Sequence, residues 1–137
     1  MLFRSPMLTR NPQTDGEHKL CCFNGFDFYI GDGKTVRKYE HIKEFDLEKG
    51  HLQEVDAIGG ACMLIKKECF TTLFQKFNGR PFEFSHEVYE TKEHGITTRN
   101  LSEDLTFSDR AKDEGFEIWV DTRIRPVHLG KIGRAHV

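Results

Sequence analysis

The stretch SEDLTFSDRAKDEGFEIWVDTRIRPVHLG, residues 102–130, decides how this chain is read. Ser102 is a good helix N-cap, and Glu103 and Asp104 place negative charge in the first turn, where the helix dipole favours it. Phe107 and Ala111 lie four apart and share a face. Gly115 is the expected left-handed stop, followed by apolar Phe116. A helix of about twelve residues spans roughly 18 Å at about 1.5 Å per residue. A strand over Phe116–Asp121 spans about 20 Å at about 3.3 Å per residue. If it packs back along the helix, Asp121 and Thr122 end near Ser102 and Asp104, and the next loop can bring His128 to the same edge. Phe116, Ile118 and Val120 share one strand face, while Glu117, Trp119 and Asp121 share the other, which puts Trp119 on the site side. On pattern alone, the favoured reading of Glu103 and Asp104 is that they only cap a helix.

Upstream, Phe70, Leu73, Phe74 and Phe77 recur at helical spacing within Lys66–Phe77, and Asn78-Gly79 ends the run. That stripe is expected to be core. Glu54–Ile58 and Ala61–Ile65 are apolar segments flanking Gly59-Gly60. Residues 81–100 alternate only weakly and read as a long loop beside the site, of the kind that forms lids. Residues 40–53 are a charged connector. Cys22–Ile30 reads as a strand, Gly31-Asp32-Gly33 as a hairpin turn and Thr35–Tyr39 as the return strand. The string GDGKT is not a phosphate-binding P-loop, because the position of its first glycine is Phe28 and no helix pattern follows. Residues 6–19 read as a polar loop.

The chain has 137 residues, room for one modest domain or part of a larger one. A net charge of −2 supplies no attraction for nucleic acid. No apolar run is long enough to span a membrane, and the first residues lack the apolar core of a signal peptide. Cys21, Cys22, Cys62 and Cys69 show neither a C-x-x-C pair nor zinc spacing, so reduced, partly buried thiols in a cytoplasmic protein are expected.

Read in order, VDAIGGACMLIKKECF, PFEF, SEDLTFSDRAKDEGFEIWVD and VHLG resemble the C-terminal half of a GT-A-fold, family-2-like glycosyltransferase of bacterial or phage type. The resemblance covers roughly Val55 to Gly130. It implies an α/β fold, a mixed sheet with flanking helices Lys66–Phe77 and Glu103–Glu114. Glu103-Asp104 falls where these enzymes carry an E-D motif. In inverting members the aspartate, here Asp104, is the general base, and Glu103 would orient the acceptor or hold the loop. Gly59 and Gly60 fall where backbone approaches the sugar, although a bulge or turn between strands explains them too. His128 falls where many members ligate a divalent cation, Mn2+ or Mg2+; a polar loop residue is the other reading. Trp119 could stack on a sugar face or pack in the core. The implied partners are a nucleotide-sugar donor and a carbohydrate or other hydroxyl acceptor.

The family's nucleotide site usually ends in an Asp-x-Asp motif, and this sequence has none; Glu44-Phe45-Asp46 is a distant echo. The N-terminal nucleotide-binding half is therefore expected to be missing. The termini agree with this. Leu2–Ser5 and Ile132–Val137 match the translation of a common short-read sequencing adapter. As a hypothesis, residues 1–5 and 132–137 are adapter artefact, and 6–131 are the C-terminal, acceptor and catalytic part of one domain. Resequencing the parent locus tests this, and a continuous gene through those codons sinks it. Such a piece is expected to be inactive alone and to leave a sheet edge and phenylalanine surface uncovered. Two other classes stay open: a noncatalytic carbohydrate-binding or structural module that kept the architecture, and, ranked last for want of grouped ligands, a metal-dependent hydrolase using Glu103, Asp104 and His128.

Overall fold

The computed structural model describes residues 2–4, 8–10, 18–60 and 62–124. The chain forms β1 (Leu2–Arg4), β2 (Leu8–Arg10), β3 (His18–Leu20), β4 (Cys22–Gly31), β5 (Lys34–His41), β6 (Leu52–Val55), β7 (Ala57–Ile58) and β8 (Met63–Ile65). Helix α1 (Lys67–Lys76), strands β9 (Ser85–Thr91) and β10 (Gly95–Leu101), helix α2 (Glu103–Asp113) and β11 (Ile118–Asp121) follow. This is a mixed α/β arrangement with mostly antiparallel strands. One four-stranded sheet runs β6-β11-β1-β8, with β1 parallel to β11 and the other pairs antiparallel. A three-stranded antiparallel sheet runs β5-β4-β7, and β9-β10 and β2-β3 form separate pairs.

The core lies where these layers meet the helices. Val55, Ile58, Cys69, Leu73, Phe107, Ala111, Ile118 and Val120 form one buried cluster with Cys22. Each large apolar side chain buried there stabilises the fold by about 1.5–3 kcal/mol. Phe82 stacks on Phe107 with ring centroids 4.2 Å apart, extending the cluster toward the segment before β9.

Both helices end where the sequence says they should. Ser102 Oγ accepts a hydrogen bond from the Leu105 N–H at 3.4 Å, and Gly115 takes φ 87° just past α2. Strand β11 begins at Ile118 rather than Phe116, because the amide of Phe116 is spent closing the helix on the Ala111 carbonyl at 3.0 Å. The β4–β5 turn places Asp32 and Gly33 at φ 55° and 73°, the geometry that matches hairpin twist.

Three expectations need correction. Residues 85–101 are not a loop but a regular hairpin, paired from Ser85↔Leu101 to Thr91↔Gly95. Within 6–19, expected as loop, residues 8–10 and 18–19 are in paired strands. The α1 stripe is rotated: Cys69 and Leu73 are buried, while Phe70 and Phe74 are 41% and 49% exposed and stack on each other. Leu73 is core as expected, and Cys69, four residues before it, sets the inward face. Of the cysteines, Cys22 and Cys69 are buried, Cys21 is partly buried and Cys62 is exposed.

Candidate functional site

The turn of α2 from Thr106 to Asp109 is buried all the way round. Three of its side chains hold different neighbours. Phe107 enters the core. Ser108 Oγ accepts the Ile58 N–H at 3.3 Å, tying α2 to β7 just ahead of Gly59-Gly60. Asp104 lies four residues before Ser108, on the same helix face. Its half-buried carboxylate lies directly on the backbone of Gly60. A Cβ added to Gly60 would stand 2.7 Å from Asp104 Oδ1 and 2.8 Å from Cγ, so the carboxylate would have to move aside.

Two of the site residues picked out in the sequence, Gly60 and Asp104, are thus brought together. Gly59 does something else. Its N–H donates to the Cys21 carbonyl at 2.8 Å, and a Cβ there would stand 2.9 Å from the Cys21 Cβ. Gly59 is a packing glycine between strands, the plain alternative left open for it. Glu103 is exposed beside Asp104. Trp119 is half-buried, and its indole N–H donates to Glu117 at 3.0 Å. It alternates with the core residues Ile118 and Val120, so it lies on the strand face turned away from Phe107 and Ala111. His128 lies outside the described residues. Among the described residues, no three His, Cys, Asp or Glu side chains converge as a metal-ligand group.

No local pattern points to the cluster around Asp109. This carboxylate is 6% exposed. It accepts from Arg37 Nη1 at 3.0 Å, from Tyr39 OH at 2.5 Å and from Arg99 Nη1 at 3.3 Å. Arg99 also reaches Glu87 at 3.0 Å, and Arg37 reaches Asp113 at 2.9 Å. The cluster ties both hairpins to α2, behind Asp104. Burial and the hydrogen bond to Asp109 push the Tyr39 phenol well above its ordinary range. A buried carboxylate must be paired, but its partners come from strands some seventy residues upstream and ten residues upstream. Only the three-dimensional fold reveals them.

No family model, curated protein or solved structure matches the chain. The chemistry of the site must therefore be argued from its own geometry.

A second set of contacts fixes the approach to α2. Arg110 donates to the carbonyls of Arg80 at 2.7 Å and Pro81 at 3.3 Å, pairs with Glu83, and stacks its guanidinium on Phe77 at 3.8 Å. The hydrogen bond from Arg110 holds the Glu83 carboxyl below its ordinary range. At the far end of β11, Asp121 is held at about 2 by the side-chain and backbone hydrogen bonds of Arg123.

Proposed function

We propose that the chain is part of a nucleotide-sugar-dependent, inverting glycosyltransferase in which Asp104 is the general base. The observation that supports this is the seating of the Asp104 carboxylate on the bare backbone of Gly60, at the head of a helix held on three sides. A carboxylate packed on side-chain-free backbone at the head of α2 offers a proton acceptor.

In the proposed step the acceptor hydroxyl gives its proton to Asp104 as its oxygen attacks the anomeric carbon. The bond from that carbon to the nucleoside diphosphate breaks, and the electron pair leaves with the diphosphate. Glu103, exposed next to Asp104, orients the acceptor. A divalent cation, Mn2+ or Mg2+, would offset the charge on the leaving group. The described residues do not gather ligands for it, so no step is assigned through it.

The sequence has no Asp-x-Asp, so the nucleotide site would be supplied by chain beyond these residues. On this reading the 137 residues alone transfer no sugar and bind nucleotide weakly. Micromolar affinity for a UDP-sugar in a titration of the chain alone contradicts that. The direct test is Asp104→Asn in the protein completed by its nucleotide-binding half. Transfer should fall by about 10²–10⁴-fold, the usual contribution of a general base, while donor binding is retained. Transfer at the unsubstituted rate overturns the assignment.

A further inference from the structure

We infer that Phe84 is the platform on which the ring of a neutral carbohydrate acceptor stacks; this rests on the reading of Asp104 given above. Phe84 is 77% exposed, the most exposed large apolar side chain among the described residues. Its exposure is not the looseness of a free loop. Two residues before it Phe82 is stacked on Phe107, and one residue before it Glu83 is paired with Arg110. One residue after it β9 begins, in register with β10. The backbone is held on both sides, and the ring is left facing outward.

Phe84 lines a shallow groove of about 370 Å³ with Ser85, His86, Asn100, Leu101 and Ser102. This volume falls at the lower end of ligand sites, about 300–1,000 Å³. None of the six carries a carboxylate, ammonium or guanidinium. An uncharged groove does not suit a nucleoside diphosphate, whose charge calls for cations. It suits a ring with an apolar C–H face and hydroxyl edges. Phe84 and Leu101 offer the apolar contact. The hydrogen-bonded His86–Asn100 side-chain pair and the Ser102 hydroxyl offer donors and acceptors at the rim. The groove ends at Ser102, the N-cap of α2, two residues before Asp104. A ring seated there therefore abuts the head of the helix that carries the base. Trp119, on the outer face of β11, is replaced by Phe84 as the aromatic platform.

The test titrates the isotopically labelled 137-residue chain with the methyl glycosides of glucose, galactose, mannose and N-acetylglucosamine at millimolar concentration, followed by amide NMR. Saturable shifts are expected at Ser85, His86, Asn100 and Ser102. Phe84→Ala should weaken the effect about tenfold, the size of one lost ring contact, and Phe84→Trp should keep it. The base assignment is read separately, by transfer in the completed protein, so its failure and the failure of the platform are distinguishable. No saturable shift with any of the four sugars overturns the inference. So do shifts that survive Phe84→Ala, and so does a concentration-dependent shift of the same amides without sugar, which would mark a contact between copies of the chain.

Discussion

Gly60 and Asp104 compete for one volume, and that makes their relation measurable. Gly60→Ala must push the carboxylate off its seat, with an overpacking cost of about 1–3 kcal/mol. The cost should shrink in an Asp104→Gly background, where nothing blocks the new methyl. A double-mutant cycle in denaturant unfolding should give a coupling of about 1 kcal/mol or more; strict additivity would mean the two residues are not in contact. Asp109 behaves differently. Removing it strands Arg99 and the partly shielded Arg37 without their shared partner. Asp109→Ala should cost about 3–5 kcal/mol in the same measurement, whereas Asp113→Ala, at an exposed pair, should cost about 0–1 kcal/mol. Chemically identical side chains one helical turn apart thus carry different loads, decided by burial.

Helix α2 is the element through which these residues act. It carries Asp104, the proposed base, at its head, the strand anchor Ser108 and the ion-pair centre Asp109 in its middle, and Arg110 toward the β9 approach. Ser102→Ala should cost about 0.5 kcal/mol, the low end for a lost N-cap, because the cap hydrogen bond is long at 3.4 Å. Thermal melts of the variant read this directly, and no change would show that Ser102 does not hold the helix start. The two helices, the β4–β5 hairpin and the Gly115 stop were legible because caps, turns and periodicity are local signals. The β9–β10 hairpin was hidden, because its exposed face carries Val88 and Ile96 where alternation calls for polar residues. The outward turn of Phe70 and Phe74 was equally hidden, since helical spacing defines a stripe but not which neighbour covers it. Gly60 with Asp104 was legible as a pair of motifs. Asp109 was not, because its partners meet only in the folded chain.

Across the whole molecule, charge and strand order set the conditions for stability. Arg123 holds Asp121 at about 2, below the ordinary aspartate value of about 3.9, and Glu83 and Glu87 are also lowered. A depressed folded-state value means the stabilisation is complete above about pH 4 and is lost as pH falls toward 2. Melting temperature should fall steeply over that window, and Asp121→Asn should flatten the fall; an unchanged slope would show that the Arg123 pair does not contribute. Strand order makes the larger claim. β1 pairs on one side with β11, from Leu2↔Ile118 to Arg4↔Val120, and on the other with β8, from Leu2↔Ile65 to Arg4↔Met63. Among the described residues β8 therefore joins the four-stranded sheet only through β1, and β11 carries Ile118 and Val120 in the core. Deleting residues 1–5 should open two strand edges at once, one of them beside the core, and such edges recruit other chains. Hydrogen exchange at Met63–Ile65 should rise about tenfold or more as that local opening becomes easier, and the chain should self-associate on size exclusion. Unchanged protection in the shortened chain itself would show that β8 is held by contacts other than β1.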